Sequence, residues 1–290
     1  MSAGWRLLFV LALTGATVPC LAARLPQAPS FSSRIEAVRV DVLVTEGAQV
    51  LRGLSASDFE VRDNGVPQQL DFVSFEQLPL NVILALDVSR SVAGERMAHL
   101  RTAGGALLDA LGADDRAALV AFNDRVRLES ELTRDVARIR HALDRTVPDG
   151  DTALIDACFA AMVLGETESG RSLLIVFSGG SDTSSWLTAE RVLETAKRLD
   201  VVVYSVSTDR ARTAAFLDQL GRLTGGTLFE LESTRDIATI FLKVLDEFRQ
   251  RYLIGYSPRG VEPGGWHRLD VRVRGRSVRV TARPGYYAGR

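Results

Sequence analysis

From Leu80 onward the chain alternates short, continuous apolar runs with longer stretches of helical period, and this constrains the fold more than anything else in the sequence. Leu80-Asn-Val-Ile-Leu-Ala-Leu86, Ala117–Phe122, Ser172–Phe177, Val201–Val206 and Thr227–Leu231 have the length and branching of strands buried on both faces. Between them, helical patterns lie near 95–111, 135–145, 153–164, 188–199, 213–223 and 235–250, and Val126–Leu132 reads as a short edge strand. Strands that alternate with helices predict an α/β fold, a doubly wound, mostly parallel sheet with helices on both faces.

The two flanks read differently. Ile35–Thr45 alternates strictly, with Val38, Val40, Val42 and Val44 on one face. Phe59–Arg62 and Gln69–Phe75 are further strand candidates, separated by Asp63-Asn64-Gly65, the residue chemistry of a tight hairpin turn. After the α/β block, Arg251–Tyr256 suits a strand. Leu269, Val271 and Val273 then alternate with Asp270, Arg272 and Arg274, and a turn at Gly275-Arg276 leads into a second run, Val278–Ala282. Neither flank has enough strands to bury a face alone. The expected organisation is a signal peptide (1–23), an N-terminal β segment (24–78), the α/β domain (79–250) and a C-terminal β segment (251–290) packed with the N-terminal one.

Composition narrows the function classes. The 290 residues are 46% hydrophobic and 24% charged, an ordinary globular balance, and the net charge of -1 gives no attraction for polyanions. Of 35 basic residues 33 are arginine, a bias that fits a GC-rich genome better than 33 separate chemical needs. Residues 251–290 hold nine arginines against Glu262 and Asp270. Attraction to an acidic polymer is one reading; the alternation of charge with apolar residues favours a solvated sheet face.

The amino terminus has the order of a secretory signal: Arg6, an apolar run from Leu7 to Val18, then Cys20-Leu-Ala-Ala23, which fits cleavage after Ala22 or Ala23. A lipoprotein anchored at Cys20 competes, but Pro19 occupies the position where a lipobox takes a small residue. No later apolar stretch reaches membrane-spanning length. The expectation is an exported protein, periplasmic, cell-surface or released. If Cys20 leaves with the signal, Cys158 is the only cysteine, no internal disulfide forms, and its apolar helical setting marks it as core.

The chemistry concentrates at the end of the first buried strand. Asp87-Val88-Ser89-Arg90-Ser91 puts a carboxylate and two hydroxyls in one loop, where open α/β sheets bind ligands. Hard oxygen donors of this kind suit Mg²⁺, or the similar Mn²⁺. Asp149-Gly-Asp-Thr-Ala-Leu-Ile-Asp156 brings Thr152 as a further oxygen donor just before a helix; Asp151 or Thr152 equally suits the N-cap of that helix. Asp156, one turn on, fits a supporting role better than a ligand.

With these motifs in hand, the chain resembles a von Willebrand factor type A domain. Asp87-x-Ser89-x-Ser91, Asp151-Thr-Ala-Leu-x-Asp156 and a later strand ending in a Gly/Ser/Asp loop are similar to its metal-ion-dependent adhesion site. Gly53-Leu-Ser-x-x-Asp-Phe59, Asp63-Asn-Gly-Val-Pro67, Tyr252-Leu-Ile-Gly-Tyr256 and Arg283-Pro-Gly-Tyr-Tyr287 resemble the VWFA-related family first grouped from acidobacterial genomes. The resemblance covers roughly residues 35 to 287. It implies a Rossmann-like core and a divalent cation held by Asp87, Ser89, Ser91 and Thr152, completed by an acidic side chain of a protein partner. One position departs. Where the family carries a second aspartate, Ser178-Gly179-Gly180-Ser181-Asp182 places Gly179. Asp182 either folds back to substitute or caps the turn that follows, and the second reading is the stronger.

Other functions find less support. A haloacid-dehalogenase-type phosphatase using Asp87 as nucleophile would carry a second aspartate at position 89, which is serine. No Gly-x-Ser-x-Gly elbow, His-Glu-x-x-His or phosphate-binding loop occurs. His99, His141 and His267 lie outside any motif, with surface or capping roles expected. The sequence thus points to a non-enzymatic, protein-binding module with no nucleic-acid partner. A metal-free envelope scaffold is the runner-up.

Overall fold

The computed structural model describes residues 37–75, 78–166, 170–208 and 212–289. The signal segment therefore lies outside the described residues. In chain order the N-terminal flank forms β1 (Val38–Glu46), β2 (Gln49–Val50), β3 (Phe59–Asp63), β4 (Val66–Gln68) and β5 (Leu70–Ser74). The central block forms β6 (Leu80–Asp87), α1 (Glu95–Asp109), β7 (Arg116–Phe122), β8 (Val126–Thr133), α2 (Val136–Arg145), α3 (Leu154–Gly165), β9 (Arg171–Ser178) and α4 (Ala189–Ala196). It continues through β10 (Val201–Ser207), α5 (Arg212–Thr224), β11 (Leu228–Glu230) and α6 (Ile237–Arg249). The C-terminal flank forms β12 (Tyr252–Tyr256), β13 (Gly265–Val273), β14 (Arg279–Thr281) and β15 (Gly285–Ala288).

The central sheet has the order β11-β10-β9-β6-β7-β8, parallel except for the edge strand β8. Every residue of β6 and β9 is buried, as continuous apolar runs require when helices cover both faces. One face packs on α1, α2 and α6 through Leu84, Leu100, Ile139, Phe241 and Phe248. The other packs on α3, α4 and α5 through Ile83, Leu154, Met162, Val192 and Leu217. Cys158 belongs to this second layer, fully buried, and burial pushes its thiol pKa up. Strand order reverses between β6 and β9, the switch point outside which such sheets open a ligand crevice.

The flanks interleave. β1 pairs with β12 on one side and β14 on the other, and β5 extends this sheet beyond β12. β13 lies between β3 and β15, with β4 beyond β3. The two sheets share one apolar layer that includes Val40, Val42, Phe59, Val61, Ile254 and Leu269. Arg171 at the start of β9 joins the α/β block to this module through Asp41 on β1, and Asp200 receives Arg39 and Arg283 from the two flanks.

Three local expectations change. Asn64 and Gly65 both take positive φ, 47° and 84°, as a two-residue hairpin demands, but the returning strand is Val66–Gln68. The chain then crosses to the other sheet, where Leu70–Ser74 pairs with β12. The turn at Gly275, φ 67°, by contrast makes no hairpin: Leu269–Val273 pairs with β3 and Arg279–Thr281 pairs with β1. Both segments are corners of a sandwich, where a strand leaves one sheet for the other.

His267 is the third. It is 1% exposed, not a surface residue, and its Nδ1 lies 2.7 Å from Asp63 Oδ1. Asp63 Oδ2 accepts the hydroxyls of Tyr256 at 2.9 Å and Tyr286 at 2.8 Å. Burial above all pushes both phenol pKa values up, with Tyr286 and Asp63 adding to it at Tyr256 and Asp63 at Tyr286, so both remain hydrogen-bond donors. Asp63-Asn-Gly, Tyr-Leu-Ile-Gly-Tyr256 and Arg-Pro-Gly-Tyr286, three motifs far apart in sequence, thus meet at one buried carboxylate.

Candidate metal centre

β6 delivers Asp87, fully buried, to the switch point. Its carboxylate is fixed at both oxygens. Oδ1 accepts the Ser89 N–H at 2.8 Å; Oδ2 accepts the Gly179 N–H at 3.0 Å and the Ser178 hydroxyl at 3.3 Å. Burial raises the Asp87 pKa above the ordinary carboxylate value, and these hydrogen bonds only partly oppose it. Among the described residues no basic side chain pairs with it. A buried anion without a counter-charge is costly, and a cation bound beside it would relieve that cost.

The hydroxyls gather around it. Ser89 Oγ and Ser91 Oγ are 2.9 Å apart. A Cβ added to Gly180 would lie 3.3 Å from Ser91 Oγ and 4.0 Å from Thr152 Oγ1, so these two oxygens close on the same space. The loops are laced by backbone bonds: Arg90 N–H to Gly150 O (3.1 Å), Asp149 N–H to Val88 O (3.0 Å), and Thr183 and Ser184 N–H to Thr152 O (2.9 and 3.1 Å). Asn123 supports the same lacing, its Nδ2 donating to Asp149 O at 2.9 Å and its O accepting the Ala153 N–H at 2.6 Å.

Asp182 is engaged elsewhere. Its Oδ1 accepts the Ile155 N–H at 3.2 Å and the Ser185 hydroxyl at 2.5 Å, so it covers the first turn of α3. This replaces the cap expected from Asp151 or Thr152: the N-cap residue is Ala153, which has no side-chain acceptor. Asp156 binds the N–H groups of Trp186 and Leu187, both at 2.9 Å. Gly179 is not in a left-handed conformation, so its backbone does not require glycine. A Cβ there would meet Val92 Cγ1 at 2.6 Å and Ser91 Oγ at 3.6 Å, so space beside Val92 is what keeps this position small.

Ser178, Gly179 N–H and Asn123 are the contributors that sequence reasoning missed. Only the Ser178 position, last in a buried strand beside β6, carried a signal that could have found the first. One carboxylate and three hydroxyls fit a hard divalent cation that retains waters. Among the described residues no three His, Cys, Asp or Glu side chains are grouped so as to hold a metal ion, so the donor set here rests on hydroxyls.

A parallel sheet in this strand order, with Asp-x-Ser-x-Ser and a threonine at its switch point, defines the class as a doubly wound α/β domain. The von Willebrand factor type A domain model matches residues 81–243, more than half of the chain, and the chain belongs to that family. A Synechocystis protein of undescribed role is 36% identical over 80 residues, 27% of this chain and 19% of its own. Inter-alpha-trypsin inhibitor heavy chain H2 of Sus scrofa is 28% identical over 138 residues, 43% of this chain and 15% of its own. The chain therefore spans less than a fifth of either relative. Among solved structures, proximal thread matrix protein 1 of the mussel byssus, with a zinc-occupied MIDAS motif, superposes with TM-score 0.54 at 17% identity, over 64% of this chain and 49% of that one. The PilB minor pilin of Streptococcus sanguinis gives 0.50 at 12%, over 60% and 62%. Both share the fold.

Proposed function

We propose that this chain is an exported, non-enzymatic adhesion or scaffold module. Its crevice at Asp87 takes Mg²⁺ or Mn²⁺ and, through the cation, an acidic side chain of a protein partner. The observation that carries this is the buried, uncompensated Asp87 carboxylate with Ser89, Ser91 and Thr152 hydroxyls beside it. The Ser89, Ser91 and Thr152 hydroxyls would hold the cation, and the buried Asp87 carboxylate beside them would supply the opposite charge. The cation would supply the charge that recognises the partner's carboxylate. The zinc-occupied motif of the mussel byssus protein supports a divalent ion in a fold of this kind.

A hydrolase reading is weaker, because a nucleophilic Asp87 would need access to substrate and it is fully buried, hydrogen-bonded at both oxygens. The metal-free scaffold keeps one supporting observation: Gly179 leaves a single carboxylate. Isothermal titration with Mg²⁺ and Mn²⁺ against wild type and Asp87→Ala tests the site, with a screen on aryl phosphates and esters beside it. Cation binding lost in Asp87→Ala, without turnover, is the expected result. Equal heats in both proteins would leave the scaffold reading. Among the described residues no helix is long and apolar enough to cross a membrane. Export is read from the amino terminus alone, and intact mass of the native protein checks it: loss of 22 or 23 residues supports it, a lipid-modified Cys20 opposes it.

A further inference from the structure

We propose that the outer face of the β15-β13-β3 sheet is a binding strip for an acidic polysaccharide. Cross-strand register fixes which residues share that face. His267, Leu269 and Val273 of β13 are buried together with their partners Tyr286, Asp63 and Phe59, so the alternate positions turn outward. Those are Trp266, Arg268, Asp270 and Arg272, opposite Tyr287, Gly285, Arg62 and Glu60. Arg274 and Arg276, both exposed, continue the row into the corner at Gly275. At the rise of a β-strand the row from Trp266 to Arg274 is roughly 25 Å long.

Arg62, Arg268, Arg272, Arg274 and Arg276 are all exposed, while the acidic residues of the face, Glu60 and Asp270, are half-buried. Glu60 is taken up by Arg62 and Asp270 by Arg272, each at 2.7 Å. Among the described residues the side chains of Arg268 and Arg274 have no partner. Cations also gather at the aromatic end. Arg198 Cζ lies 4.0 Å from the centre of the Tyr287 ring, and Lys197 Nζ, which also pairs with Glu194, lies 5.5 Å from that of Trp266. The Trp266 ring rests on the backbone of β15, where a Cβ on Gly285 would come within 2.4 Å of it.

Charge and its spacing select the occupant. The strip is positive but sparse, because Glu60 and Asp270 stand between its arginines. Duplex DNA carries a charge about every 1.7 Å and an anionic bilayer presents charge across a whole plane, so either would bring phosphates onto those two carboxylates. A polyuronate carries a single carboxylate on each sugar ring, and its charges can fall at the arginines alone. Guanidinium takes a carboxylate bidentately, and the C–H face of a sugar is drawn to the negative face of an aromatic ring. The β module meets the α/β block at the amino ends of β9 and β10, through Arg171 and Asp200. The Asp87 crevice lies at the carboxyl ends, so binding at the strip leaves it open. This inference is independent of metal binding.

Biolayer interferometry on immobilised alginate tests it, with free alginate, dextran, phosphatidylglycerol vesicles and duplex DNA as competitors. Wild type should bind, weaken as salt rises, and be displaced best by free alginate. Arg268→Glu/Arg274→Glu should lower the affinity about tenfold or more. Arg138→Glu/Arg145→Glu makes the same charge change on exposed positions of α2 and should leave the affinity as it is. All four side chains are exposed, so both variants should melt with wild type. Wild type that ignores alginate, binding that does not respond to salt, or equal losses in the two variants would overturn the proposal. Stronger displacement by vesicles or DNA than by alginate would overturn it too, and would make the strip a site for phosphate-bearing surfaces.

Discussion

The backbone N–H of Gly179 donates to Asp87 Oδ2 at 3.0 Å, so the residue at the family's second-aspartate position holds the first aspartate in place. Charge is missing there, while the hydrogen bond that orients Asp87 is present. Gly179→Asp adds the carboxylate and, with it, a Cβ that presses on Val92. Gly179→Ala adds the Cβ alone. Both should lose about 1–3 kcal/mol through overpacking. Only Gly179→Asp should gain a larger rise in melting temperature with Mg²⁺ or Mn²⁺ than wild type shows, with Asp87→Ala as blank. Equal cation responses in all four proteins would mean that no metal is held here.

Asp87 sets a pH dependence with a definite sign. Burial raises its pKa in the folded, cation-free protein, so the ionised form costs stability and protonation recovers it as pH falls through the folded value. Protonating Asp87 removes the negative charge that attracts the cation. The cation-induced rise in melting temperature should therefore shrink on acidification, beginning above the ordinary carboxylate range, while the cation-free protein loses less stability than a surface-aspartate control. Melts with and without Mn²⁺ from neutral to acid pH read both effects. A cation response that holds constant across that range would contradict the assignment.

Asp182 separates capping from ligation. Its contacts are with Ile155 N–H and Ser185, so Asp182→Ala should cost about 1 kcal/mol, as the loss of a helix cap does, and leave the cation response unchanged. Urea unfolding combined with a cation titration tests this. Loss of the response would make Asp182 a ligand after all.

The Asp63 cluster predicts how the two flanks depend on each other. Asp63→Ala leaves a histidine and two phenols in the interior without their acceptor and should cost about 1–3 kcal/mol for each group left unsatisfied. Tyr286→Phe removes one donor and should cost about 1–3 kcal/mol. Removing residues 260–290 takes away His267, Tyr286, the β14 neighbour of β1 and the β13 neighbour of β3, and residues 37–75 should then be cleaved early in limited proteolysis. Survival of that segment would show that the N-terminal flank folds without the C-terminal one.

The sequence by itself determined the parallel sheet, because strands buried on both faces must be written as continuous apolar runs, and β6, β9 and β10 are. It also placed Asp87, Ser89 and Ser91, whose spacing within one loop needs no long-range information. Thr152 was legible as a donor, but its approach to Ser91 depends on loops laced across three strand ends. Tertiary structure alone decided the rest. Asp63, Tyr256, His267 and Tyr286 are separated by up to 223 residues, and no local period records that they share a carboxylate; the sequence left His267 on the surface for that reason. The two hairpin-like runs were equally ambiguous, since alternation fixes which face a strand buries and says nothing about which sheet it joins. The partner that Asp182 Oδ1 finds, Ile155 N–H, is a donor that exists only once the helix has formed beside that loop.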